Sequence, residues 1–164
     1  MISLETNRLK FRQWTKEDFT YFKSYFSNTY QTQYLGGLKN AEDAWRLMAT
    51  YIGHYHLFGY SYLAIEEKKS HRFVGSVGLW NSDPWPELEL GYWILSEMEG
   101  KGYATEAANA AKEYARNILK SPSLVSYINK DNTKSIQLSK RLGATCTETI
   151  ELMNYGLHHI YRYW

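Results

Sequence analysis

The stretch that most constrains the fold is residues 94–115, ILSEMEGKGYATEAANAAKEYA. Ile94 and Leu95 end an apolar run. An acidic loop with glycines at 100 and 102 follows, and it opens directly into a helix. Along that helix Ala104, Ala107, Ala108, Ala111 and Ala115 recur at i, i+3, i+4 spacing. A stripe of alanine lets a helix lie close on a sheet, which fixes the helix start near the end of strand 87–95. Glycine removes the Cβ where backbone turns sharply and where a ligand approaches the main chain. The helix start near Tyr103 presents unpaired N–H groups and the positive dipole end. Together these features make a site for a phosphate or diphosphate, with Lys101 adding charge. A tight turn into a helix gives the same pattern without any ligand, and Gly-x-Gly alone is a weak signal. A dinucleotide-binding fold is disfavoured. Thr105 stands where a third glycine is needed, the next strand ends in Asn129 rather than an acid, and the unit comes late in the chain.

The rest of the chain frames this unit. LKFRQW (9–14) alternates as a strand, and Thr15 and Asp18 predict a capped helix to about Asn28. Asn40 and Asp43 repeat the device for a helix over 40–55, with Ala44, Leu47, Met48, Tyr51 and Tyr55 as its apolar stripe. Strands follow over 60–66, 72–80 and 87–95. After the alanine helix (103–119) come a strand over 124–129 and a helix over 132–144, capped by Asn132 and stopped by Gly143. A closing hairpin is expected around NYG. One βαβ unit inside an antiparallel meander reads as α+β with a mixed sheet.

Bulk properties set limits. The 164 residues suit one domain, 1–164, around one core. The net charge of +2 is too small to argue for nucleic acid or a membrane surface. The aromatic residues are not interleaved with basic ones, which also counts against nucleic acid. A lone cysteine, Cys146, excludes an internal disulfide framework and suits a reducing compartment; it is expected to be buried and inert. No apolar run reaches spanning length and the N-terminus does not read as a signal peptide, so the expected location is the cytoplasm. Fifteen tyrosines and six tryptophans suit cores, grooves and dimer interfaces alike, leaving monomer and homodimer both open.

The strings ELGYWILSEMEGKGYATEA and NKDNTKSIQLSKRLGA resemble the GNAT superfamily of acetyl-CoA-dependent N-acetyltransferases. More narrowly they are similar to the branch of ribosomal-protein N-terminal alanine acetyltransferases. LETNRLKFRQWTKEDF resembles that branch's first strand and helix, and SYLAIEEKKSHRFVGSVGL its second and third strands. The resemblance covers nearly the whole chain. It implies an acyl-CoA N-acyltransferase fold: a central mixed, mostly antiparallel sheet, splayed in the middle and flanked by helices. It implies acetyl-CoA as co-substrate, no metal, and a primary amine as acceptor, either a protein N-terminus or a small amine. The amine would attack directly in a ternary complex.

The resemblance also assigns residues. The family's Gln/Arg-x-x-Gly-x-Gly/Ala motif falls on residues 97–102. Gly100 and Gly102 match, and Glu97 departs from the usual Gln or Arg. Main-chain N–H groups from Gly100, Lys101, Gly102, Tyr103, Ala104 and Thr105 would hold the diphosphate. Trp93, Ile94 and Leu95 would supply the strand edge for the pantetheine arm and an N–H for the developing oxyanion. Asn132 and Ser135 match the start of the next helix. Ser139 stands where many members carry a tyrosine that protonates the leaving thiolate, and Gly143-Ala144 replaces the usual Gly-Phe.

The attacking amine must be neutral, and a general base helps it lose a proton. Glu87, Glu89, Gly91 and Trp93 share one strand face. Glu89 is the first candidate base and Glu87 the second; a wet strand face explains both without chemistry. Tyr30, Tyr34, Trp45, Tyr51 and Tyr55, together with the segment DPWPELE, are candidate walls of the acceptor site, with plain packing as the simpler reading. His54 and His56 diverge on a helix, and His158 and His159 face opposite sides of a strand, so neither pair has metal-ligand geometry. A non-catalytic acyl-CoA-binding module is the rival reading, left open by Glu97 and Ser139.

Overall fold

The computed structural model describes residues 4–164. The elements in chain order are β1 (Leu9–Arg12), α1 (Phe19–Phe26), α2 (Thr29–Thr32), α3 (Ala41–Phe58), β2 (Tyr62–Glu67), β3 (Phe73–Trp80), β4 (Glu89–Ile94), α4 (Tyr103–Asn117), β5 (Val125–Ile128), α5 (Thr133–Arg141), β6 (Thr145–Glu151) and β7 (Leu157–Arg162). The strands form one sheet in the order β1-β2-β3-β4-β5-β7-β6. Every pairing is antiparallel except β4 with β5. The parallel pair is the one that α4 connects, as a right-twisted sheet requires of a crossover.

Local chemistry sets most boundaries. Asp18 accepts the Thr15 backbone N–H at 2.8 Å, completing the expected capping box ahead of α1. Asn40 accepts the Asp43 N–H and opens α3; Gly59, at φ +78°, closes it. Arg12 then ties three elements together. Its guanidinium meets both Asp18 oxygens at 2.7 and 2.9 Å and Glu66 at 2.8 Å, joining β1 to the start of α1 and to β2.

The core accounts for much of the aromatic excess. Trp93 on β4 stacks on Tyr25 of α1 at 4.2 Å and is edged by Phe22 and Phe26 at 5.7 and 5.8 Å. Such pairs contribute about 0.5–1.5 kcal/mol each beyond the area they bury. On the other face, Ala107, Ala108, Ala111 and Ala115 are buried as α4 packs on β3 and β4, and Ala104 is half-buried.

Three expectations change. A one-turn helix, α2, interrupts the connection between the two long helices. Strand β4 begins at Glu89, so Glu87 lies in the preceding loop. Cys146 is exposed rather than buried. The reason is position: β6 is the outer edge of the sheet, exposed at nearly every residue, and its register shifts between Cys146 and Glu148.

Candidate active site

The sheet opens between β4 and β5. The two strands share a single bridge, Glu89 to Val125, where the Val125 N–H reaches the Leu88 carbonyl at 3.1 Å. Beyond it they part, and the Ser126 hydroxyl, instead of a strand, satisfies the Leu90 carbonyl at 2.6 Å. Backbone direction alternates along β4. The Leu95 N–H bonds to Val74 of β3 at 3.0 Å, so Trp93 and Gly91 also point toward β3. Leu90, Tyr92 and Ile94 therefore turn their N–H groups into the gap. Of the three residues expected to offer a strand edge, Ile94 faces the opening, and Tyr92 joins it.

A groove of about 970 Å³ runs from the gap to the start of α4. Gly100, Gly102, Tyr103, Ala104 and Thr105 line it on one side, Asn132 and Ser135 on the other, and Trp93 and Ile94 at its floor. Gly100 and Gly102 adopt φ values of +73° and +79°, which a side chain would strain. The loop is anchored from β1. Arg8 donates to the Lys101 carbonyl at 2.9 Å, and Glu106, in the first turn of α4, holds Arg8 through its Nε at 2.6 Å and its backbone N–H at 2.9 Å. Lys101 contributes that anchored carbonyl; its side chain and that of Leu95 stay outside the lining, as does exposed Glu97. The bare, positive end of a 15-residue helix beneath a two-glycine turn fits a diphosphate. Across the mouth, Lys134 pairs with Glu99 at 2.7 Å.

On the far side of the gap lies a cavity of about 360 Å³. Glu89 is its carboxylate. Tyr62 donates to Glu89 Oε2 at 3.3 Å. The Trp85 indole N–H faces the same carboxylate but falls short of a hydrogen bond, and the Tyr127 backbone N–H lends further support. The surface that Glu89 keeps open faces the cavity, while protein closes around the carboxylate. Burial pushes its pKa up to about 8, against the lowering pull of those three donors. Glu87 is placed differently. Arg162 grips both its oxygens at 2.8 Å and holds its carboxyl below the ordinary range.

Tyr34, Leu35, Tyr92, Trp93, Asn132 and Ser135 line both the groove and the cavity, so the two spaces meet at the open gap. Tyr92 extends its hydroxyl to the Ser135 carbonyl at 3.3 Å. Asn132 caps α5 by accepting the Ser135 N–H. Ser139 is fully buried and lines neither space; it sits behind Tyr92 and accepts from Tyr163 at 3.4 Å. Of the other expected wall residues, Tyr34 and Tyr51 line the cavity and Tyr30 lines the groove. Trp45 packs on Phe19 instead, and Tyr55 borders neither. Tyr62, Trp80, Tyr127 and Lys39 were not singled out from the sequence. They meet because the sheet order sets β3 and β5 on either side of β4 with β2 one strand further out, and the connection before α3 brings Lys39 over them, which no local pattern encodes. No group of metal-binding side chains occurs among the described residues.

A family model described as an acetyltransferase (GNAT) domain matches residues 8–145. The chain belongs to the GNAT acetyltransferase family. Its sheet, splayed beside a glycine loop, is the GNAT fold. An N-acetyltransferase of Bacillus subtilis, YoaA, is 27% identical over 143 residues, covering 85% of this chain and 81% of that protein. The crystal structure of an acetyltransferase from Agrobacterium tumefaciens superposes with a TM-score of 0.91 at 29% identity, covering 100% of this chain and 95% of the other. Two further structures share the GNAT fold at lower identity. One is described as a ribosomal-protein-serine acetyltransferase from Vibrio cholerae (TM-score 0.82, 17% identity, 98% and 96% covered). The other is a spermidine N-acetyltransferase from Vibrio cholerae in complex with CoA and spermine (TM-score 0.75, 20% identity, 96% and 94% covered).

Proposed function

We propose that this GNAT protein moves the acetyl group of acetyl-CoA to a primary amine by direct attack in a ternary complex. One observation carries the reading. The glycine-loop groove and the Glu89 cavity meet at a strand edge whose free N–H groups face the junction.

The loop over Gly100–Gly102 and the first turn of α4 hold the diphosphate, and the β4 edge holds the pantetheine arm as an added strand would. The Tyr92 or Ile94 N–H meets the oxyanion as it develops. Glu89 takes the proton of the amine, whose nitrogen bonds to the acetyl carbon as the carbon–sulfur bond breaks. With its pKa near 8, Glu89 is matched to an α-amine, which titrates at about 7.7–8.0. Tyr92 gives a proton to the departing thiolate. Ser139 and Tyr163, hydroxyls stacked behind it, orient the phenol, which regains its proton from solvent at the groove.

The test is calorimetric titration with acetyl-CoA of the wild type and of Gly102→Trp, followed by thiol release in the presence of amines. Binding lost in the variant and release that depends on Glu89 support the reading. Binding without release would favour the non-catalytic acyl-CoA module. No binding would remove the cofactor assignment.

A further inference from the structure

The ionic and polar lining of the Glu89 cavity is unevenly sorted. Among the described residues, Glu89 and Lys39 are its only formally charged side chains, one of each sign. Lys39 forms no ion pair with a described residue; its ammonium lies 5.9 Å from the centre of the Phe26 ring. Its neighbours lead back to Glu89 by way of two rings. Lys39 Nζ and the Tyr155 ring both lie within 4 Å of the point where a Gly36 Cβ would stand. Tyr155 meets Trp85 edge-on at 5.9 Å, and Trp85 faces Glu89. The cation and the carboxylate are thus set apart by aromatic wall.

Two polar atoms in that wall, Trp85 Nε1 and Tyr127 Oη, are buried without a hydrogen-bond partner. An indole N–H only donates. The Trp85 N–H already faces the Glu89 carboxylate, so the donors left for an acceptor-bearing ligand are the Tyr127 hydroxyl and the Lys39 ammonium. A polyamine supplies further cations and donors, and it would meet a single carboxylate and an opposing lysine.

We infer that the acceptor is a small primary amine carrying an apolar or aromatic body and, at its far end, an anionic group that Lys39 binds. The amine lies at Glu89, the body against Trp85 and Tyr155, and the anion at Lys39. This inference rests on the acetyltransferase reading for the chemistry, but it concerns binding and can be read without turnover. Lys39 is then the residue that sets specificity.

A matched pair of probes tests it: 4-(2-aminoethyl)benzoate and 2-phenylethylamine, titrated calorimetrically into the protein saturated with CoA, beside spermidine. The expected result is roughly tenfold tighter binding of the carboxylated amine, about what one half-buried ion pair contributes. Lys39→Met should erase the difference by weakening only the carboxylated probe, and Lys39→Arg should keep it. Equal binding of the two probes, tighter binding of spermidine, or no change in Lys39→Met would overturn the inference. Thiol release from acetyl-CoA is measured alongside. If the binding preference is seen but no amine is acetylated, the anionic-amine binding site stands and the acetyltransferase reading falls. If other amines are acetylated without that preference, the reverse holds.

Discussion

The Tyr62 hydroxyl reaches the Glu89 carboxylate because residue 91 has no side chain. A Cβ at Gly91 would lie 2.4 Å from Tyr62 Oη. Substitution there acts on the base from a distance of two residues. Gly91→Ala should displace the Tyr62 ring, destabilise the fold by about 1–3 kcal/mol, and lower kcat more than it raises KM for acetyl-CoA. Denaturant unfolding and steady-state kinetics check both parts. Unchanged kcat in a folded variant would separate Tyr62 from the chemistry.

As the proposed base, Glu89 would link activity to pH with a definite sign. Its carboxyl titrates near 8 in the fold against an ordinary value of 4.5, so only the ionised fraction acts as base. The turnover number should climb about tenfold per pH unit below 8 and level above it. Glu89→Gln should remove that inflection and lower kcat by roughly 10²–10⁴. Stability runs the other way. Between the two pKa values the folded chain binds the extra proton, so raising pH through this window costs stability. Relative to wild type, Glu89→Gln should therefore melt on the order of 10 °C higher at pH 9 and gain little at pH 5. A variant that melts lower at pH 9 would contradict the buried-carboxylate picture.

On the proposed mechanism Tyr92 and Ser139 divide one task unequally. Removing the hydroxyl that borders both spaces, in Tyr92→Phe, should lower kcat by about 10²-fold, within the usual range for a lost proton donor. Ser139→Ala should cost less, because Ser139 acts through its neighbour. The comparison is made at saturating acetyl-CoA with CoA release as the readout. A larger loss in Ser139→Ala than in Tyr92→Phe would reverse the assignment.

Arg8 anchors the glycine loop without lining the groove. Arg8→Met should loosen the Lys101 carbonyl and weaken acetyl-CoA binding several-fold. At saturation kcat should stay unchanged, since no reacting group is touched. Calorimetry and kinetics on the same preparation decide it. A fall in kcat with normal affinity would mean that the loop does more than hold the diphosphate.

What could be read from the chain follows the range of the interactions. Caps at Thr15, Asn40 and Asn132 are local, so helix starts were legible. The alternation of β4 put Glu89 on the face that the cavity uses. Glu87 stayed a second candidate because its partner, Arg162, lies 75 residues away. Cys146 looked buried because strand patterning does not reveal which strand will be outermost. Lys39 and Tyr155 carry no motif at all; they come together where the connection before α3 meets the tip of the β6–β7 hairpin.

The single bridge between β4 and β5 has a mechanical meaning. Two strands pinned over one short stretch, by the Glu89–Val125 bridge and the Ser126 hydroxyl on the Leu90 carbonyl, and apart beyond it make a pair of shears, and Glu89 sits on the rivet. Spreading the blades to admit a long pantetheine arm moves the mouth of the groove most and the pivot least. The proposed general base would therefore keep its place and its surroundings if the blades spread.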